Sequence, residues 1–286
     1  MRVASLVPAA TEILRFLQVE PVGVSHACGW PGKPVLTESL LPSGLSQAEI
    51  DQRVGQAVQA GQSLYRVDAR RLAELEPDLV LTQGVCEICA ATPGEVGRAV
   101  ALLPHPVPTL SLQGTRLHHL WDDLRRVAAA VGVEAEEALA ALQDRLERVR
   151  EAVCGQSRPR VVFLEWLEPP FLGGHWVPDL LEAAGGMALG ASPEAPSQRS
   201  DWEAIARLEP EVLLYSFCGY DLSTALQALQ GFVPPLPSLR VAWALDAANF
   251  CALTPRVVRG VEVLAGLLHP GCGGFEPPSP QEAQRL

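Results

Sequence analysis

Two stretches decide the fold: DARRLAELEPDLVLTQGVC, Asp68 to Cys86, and DWEAIARLEPEVLLYSFC, Asp201 to Cys218. Each opens on an Asp suited to cap a helix and runs through a short amphipathic segment to Leu-Glu-Pro and an acid. Proline stops the helix, and the apolar run after it reads as a strand. A one-residue slip brings Cys86 onto Cys218. A helix–strand unit that occurs twice predicts two similar α/β lobes. Alternation of strands with helices predicts a mostly parallel sheet in each. In such sheets ligands bind beyond the carboxyl ends of the strands, where both cysteines fall.

The flanking sequence extends the pattern. RVASLV (2–7) reads as a strand, with Pro8 starting the helical spacing of AATEILRFL. VGVSHACGWP gives a short strand breaking into a loop, QAEIDQRVGQAVQAG (47–61) a helix with a Gly stop, and VPTLSL (107–112) a further strand. From about Thr115 to Val153 the Ala/Leu/Arg/Glu-rich sequence predicts one long connecting helix with Gly132 as its interior breaker. Strands then resume at VVFLEW (161–166), EVLLYS and VAWAL, with helices near 177–184, 202–208, 221–230 and 255–268. The predicted organisation is therefore an N-terminal lobe (1–114), a connecting helix (115–154), a C-terminal lobe (155–270) and a loose Pro/Gly-rich tail (271–286). The fold class is α/β, with helices flanking the central sheet of each lobe.

With 286 residues the chain is long enough to build its cores without disulfide staples. The net charge of −11, with no Lys/Arg cluster, excludes the electrostatic footprint of a nucleic-acid or anionic-membrane binder. No apolar run reaches the roughly 20 residues of a membrane span, and the start MRVASLVPAATEIL lacks a secretory leader, so a cytoplasmic protein is expected. Seven cysteines without framework spacing are expected as free thiols.

The loops at strand ends hold the residues able to recognise a ligand. They carry His26, Cys28 and Trp30; Cys86, Glu87 and Cys89; Glu165, Trp166, His175 and Trp176; Cys218 and Tyr220; and Phe250. Aromatic walls with a few placed polar groups suit a sizeable organic ligand. The Cys86–Cys89 C-x-x-C does not open a helix, since Pro93 delays one, and this argues against a thioredoxin-type pair. No second C-x-x-C completes a structural zinc site. Cys86, Cys89, Cys28 and His26 together have acceptable chemistry for a metal ion, and inert wall thiols are the plainer reading. There is no G-x-S-x-G, P-loop, G-x-G-x-x-G or H-E-x-x-H motif. Glu87 with Glu165 is the one conceivable acid/base pair, and binding leads over catalysis.

RVASLVPAATEILRFLQVEPVGVS, SLYRVDARRLAELEPDLVLTQ, the long helix, GGHWVPDLLEAAGG and DWEAIARLEPEVLL together resemble the cobalamin-binding branch of the ABC-transporter substrate-binding proteins, over nearly the whole chain to His269. The resemblance implies two α/β lobes on a helical backbone, with a corrinoid, cobalamin or a precursor, held in a cleft by aromatics. Tyr65 and Trp176 match the family's aromatic positions, and Pro8 lies in its opening motif. Relatives in the superfamily bind haem, siderophores or metal ions. Transported members dock on permease arginines through one carboxylate per lobe. Glu203 fits the second position, whereas Arg70 stands at the first and counts against docking. The expectation is a cytoplasmic small-molecule-binding protein, not an enzyme. The alternatives are a metal- or thiol-dependent protein using the Cys cluster and an importer receptor for haem, siderophore or cobalamin whose leader is missing.

Overall fold

The computed structural model describes residues 1–85 and 91–286. Cys86, Glu87 and Cys89 lie outside the described residues, and with them the C-x-x-C and acid/base readings. Contacts divide the chain into two units, Met1–Gly114 with His119–Glu136, and Thr115–His118 with Glu137–Leu286.

The first unit runs β1 (Val3–Ser5), α1 (Pro8–Phe16), β2 (Thr37–Ser39), α2 (Gln47–Gln59), β3 (Tyr65–Val67), α3 (Ala69–Glu74), β4 (Leu79–Gln83), α4 (Pro93–Ala101), β5 (Thr109–Leu112) and α5 (His119–Val131). Its main sheet has the order β1-β4-β5, all parallel, with Val3 opposite Leu79 and Val80 opposite Thr109. VGVS contributes only isolated bridges, Ala4 to Gly23 and Val24 to Val35. The antiparallel ribbon β2–β3, unforeseen from the sequence, sets Ser39 opposite Tyr65.

The second unit carries α6 (Glu136–Val153), β6 (Arg160–Leu167), β7 (Pro170–Leu172), α7 (Val177–Ala183), β8 (Met187–Ala188), β9 (Gln198–Arg199), α8 (Trp202–Arg207), β10 (Val212–Tyr215), α9 (Leu222–Ala228), β11 (Val241–Leu245), α10 (Arg256–Leu268) and β12 (Ala283–Arg285). Its parallel heart is β6-β10-β11, with Val212 opposite both Val161 and Val241. Antiparallel β7 and β9 extend one side and β12 the other.

The two repeated stretches fold alike because the same residues do the same work. Asp68 accepts the Arg71 N–H at 2.9 Å and Asp201 the Ala204 N–H at 2.7 Å, capping α3 and α8. Glu76 (φ 40°) and Glu209 (φ 47°) then take left-handed conformations. Buried Pro77 and Pro210 follow and send the chain into β4 and β10.

Two segments differ from expectation. The stretch 115–154 is helical as read but forms two helices, α5 and α6, because Gly132 turns left-handed (φ 73°) and ends the first. Residues 271–286 are docked, not loose. β12 pairs with β11, and Arg259 of α10 binds Glu282 at 2.6 and 2.7 Å and the carbonyls of Glu276 and Pro277. Pro and Gly in this segment shape a strap over α10, where Gly266 leaves room for Pro278.

Candidate functional site

In the first unit, β1 ends in a buried hydroxyl cluster. Ser5 Oγ donates to the Val7 carbonyl at 3.1 Å or shares its proton with Thr11 Oγ1 at 2.8 Å. Thr11 in turn lies 3.0 Å from Cys28 Sγ. Burial pushes the Cys28 thiol up, outweighing the hydroxyl contacts from Thr11 and Ser25. Cys28 is thus a half-buried thiol in contact with the Thr11 hydroxyl.

Beside it lies a small pocket of about 40 Å³, lined by Leu6, Ser25, His26, Ala27, Thr37, Tyr65 and Ala91. The β2–β3 ribbon supplies Thr37 and Tyr65. His26 stacks on Tyr65 with ring centroids 5.5 Å apart and planes at 29°. Its Nδ1 lies 2.8 Å from Thr37 Oγ1, which also accepts the His26 N–H at 3.0 Å. Burial lowers the His26 pKa, which extends the neutral form of the ring below its ordinary titration range. Whole small-molecule sites measure roughly 300–1,000 Å³, so this pocket is far smaller than a whole site and can supply only one edge of one. Trp30 is turned elsewhere. The Arg15 guanidinium lies 5.0 Å over its ring and donates to the Gly29 carbonyl, which pins the loop by a cation–π contact. Pro8, half-buried, starts α1 at its first turn, where its missing N–H costs nothing.

In the second unit the loop after β7 is held by close backbone approach. A Cβ on Gly174 would lie 2.3 Å from Ser197 N. The Gly174 N–H donates to Ser197 Oγ at 3.3 Å, and Ser197 Oγ donates to Glu165. His175 takes φ 51°, and its N–H meets the Ala195 carbonyl at 2.6 Å. Its ring stacks on Trp176 at 5.7 Å, and burial lowers its pKa. Trp176 caps the start of α7, and its Nε1 donates to the Phe250 carbonyl at 2.8 Å.

Trp166 and Tyr220 meet edge to face at 5.7 Å. Tyr220 also packs on Phe217, so both rings close over the buried cluster of β6 and β10. Cys218 follows β10, its N–H donating to the Glu165 carbonyl at 3.3 Å. Phe250 corrects an expectation. Its ring is fully buried, tilted on Phe163 and pressed against Gly260, so it is core and only its carbonyl serves the loops.

His26, Cys28 and Tyr65 thus share one unit with Pro8 and Trp30, and Glu165, His175, Trp176, Cys218 and Tyr220 the other. Thr37, Ser25, Ser197 and Gly174 were missed, since hydroxyls and glycines in loops carry no linear signal; the adjacent GGHW, with its paired Gly, was the nearest clue for the last two. Among the described residues no three His, Cys, Asp or Glu side chains gather to hold a metal ion. Arg70 pairs with Glu74 at 3.0 Å and Glu203 with Arg207 at 3.0 Å, both on exposed helix faces.

Two α/β units, each with a parallel sheet and with histidine- and aromatic-bearing loops at strand ends, are the architecture of a binding-protein fold. The chain belongs to the periplasmic binding protein family, whose profile matches residues 3–231. The fold is similar to that of a periplasmic heme-binding protein from Pseudomonas aeruginosa (TM-score 0.71, 20% identity, covering 97% of this chain and 95% of that one). It is also similar to an ABC transporter substrate-binding protein from Listeria monocytogenes EGD-e (0.69, 16%, 94% and 98%). A third is the periplasmic vitamin B12-binding protein BtuF of Vibrio cholerae (0.64, 19%, 93% and 96%). At these identities the likeness establishes the fold. No curated protein matches the chain. Among the described residues no helix is long and apolar enough to cross a membrane.

Proposed function

We propose that this protein binds a tetrapyrrole-type small molecule, a corrinoid such as cobalamin or its precursor, on the loops at the carboxyl ends of its strands. The observation that carries the reading is the His26–Tyr65 stack in the first-unit pocket: a flat aromatic face beside a polar rim. Flat macrocycles with polar side groups match such a surface. Relatives named for vitamin B12 and for heme support the ligand class. The role is binding, with no catalytic step. The test is a desalting experiment with hydroxocobalamin and cyanocobalamin: retained corrinoid absorbance and a raised unfolding temperature are expected. Loss of all absorbance with an unchanged unfolding temperature would reject the reading.

We also propose a reducing compartment, the cytoplasm, a reading supported by the free thiols of Cys28, Cys154, Cys218, Cys251 and Cys272. Cell fractionation checks it. A second reading, an importer receptor, is favoured by family membership and by the exposed carboxylate of Glu203 on α8. Recovery of the chain from the exported fraction would select that alternative.

A further inference from the structure

The hydrogen bonding of His26 bears on where its proton sits. Thr37 Oγ1 accepts the His26 backbone N–H and lies 2.8 Å from Nδ1. A hydroxyl has one proton to give and two lone pairs. One of its two partners is an N–H, which takes no proton. Among the described residues the Thr37 proton therefore has a single acceptor, Nδ1. The opposite arrangement, Nδ1–H donating to Oγ1, leaves a hydroxyl on a residue only 6% exposed without an acceptor. Leaving a buried donor unsatisfied is unfavourable, which biases the choice between two tautomers of similar intrinsic energy. The neutral ring thus carries its proton on Nε2, at the edge away from Thr37, while its face stays on Tyr65.

Resting on the ligand reading above, we propose that His26 recognises the ligand as a hydrogen-bond donor: Nε2–H meets an oxygen acceptor on the ligand's periphery, a carboxylate or an amide carbonyl. The assignment makes His26 a specificity residue. It selects for macrocycles whose rim carries oxygen and against purely apolar ones.

Two measurements test this separately from the ligand reading. The first is the long-range proton–nitrogen correlation spectrum of the full chain, labelled in its histidine rings, without ligand and at about pH 8, above the ordinary histidine pKa. The expected result is a protonated Nε2 and an unprotonated Nδ1 for His26, and a mixture of tautomers in Thr37→Val. A proton on Nδ1, or no change in Thr37→Val, overturns the proposal.

The second is affinity for hydroxocobalamin, whose rim bears amides, and for hemin, whose rim bears carboxylates. His26→Phe keeps a ring on Tyr65 and loses the donor, and should weaken the probe that binds by about tenfold. His26→Gln keeps an N–H donor and should stay within about threefold. Equal loss in both variants, or none in His26→Phe, overturns the proposal. The probe that responds identifies the acceptor as amide or carboxylate. If neither probe binds wild-type protein, the ligand reading fails, and the spectrum alone decides the proton's position.

Discussion

The backbone N–H of Arg160 donates to the Glu211 carboxylate at 3.0 Å, while the Arg160 guanidinium donates to the carbonyls of Leu208 and Glu209. The first unit repeats the device. The Arg2 N–H donates to Asp78 at 2.6 Å, and its guanidinium to the carbonyls of Leu75 and Glu76. In both, the Leu-Glu-Pro-acid motif is the far end of a clamp on the first strand. The arginine satisfies carbonyls orphaned at the helix end, and the acid sets the register of β1 on β4 and of β6 on β10. Arg160→Met should therefore lower stability by about 1–2 kcal/mol, read as an earlier midpoint in urea at an unchanged slope. An unchanged midpoint would mean that the clamp is decorative.

Gly174 is held by space. Its Cβ position is blocked by Ser197 N and by the Pro196 and Ala195 backbone, none of which can rotate away. Gly174→Ala should cost about 3 kcal/mol, at the upper end of overpacking penalties. Gly29→Ala, with nothing within 4 Å of the added carbon, should stay within about 0.5 kcal/mol. Thermal unfolding of the two variants side by side checks the contrast.

The C-terminal strap should respond to acid through Glu282. Hydrogen bonds from Arg259 hold its carboxyl down to about 2, from an ordinary 4.5. A depressed carboxylate contributes stability that is present above the unfolded value and lost as pH falls through the folded one. Between pH about 4.5 and about 2 wild-type protein should lose this contribution, and Glu282→Gln should not. Near neutral pH the variant should be about 2 kcal/mol less stable, with the gap closing in strong acid. A constant gap at every pH would refute the linkage.

Trp176 separates a structural role from a ligand role. Trp176→Phe deletes the donor to the Phe250 carbonyl and should cost about 1 kcal/mol of stability while keeping an aromatic face. Ligand affinity should then fall by less than about threefold, against about tenfold or more in Trp176→Ala. Chemical denaturation and titration on the same preparations distinguish the two effects.

Much of the frame was legible because its signals are local. Asp caps, Leu-Glu-Pro stops and apolar strands each act within a few residues, and the same grammar at Asp68 and Asp201 produced the same turns. What escaped depends on distant partners. The β2–β3 ribbon that presents Thr37 and Tyr65 joins segments separated by α2. The strap at 271–286 is ordered by Arg259, which no reading of its own composition reveals. Phe250 sits in a loop between two elements, where burial depends on Phe163 from another strand. The single long helix failed at Gly132, whose breaking power was visible but whose left-handed turn was not.

The central claim is the proposal that the first-unit pocket at His26 and Tyr65 binds a tetrapyrrole. It is tested most directly by titrating the full chain with hydroxocobalamin, and in parallel with hemin, while following tryptophan emission. The account predicts saturable quenching by at least one of the two, strongly weakened when Tyr65 is replaced by Ala. Linear, non-saturating quenching by both, identical in Tyr65→Ala, would contradict it.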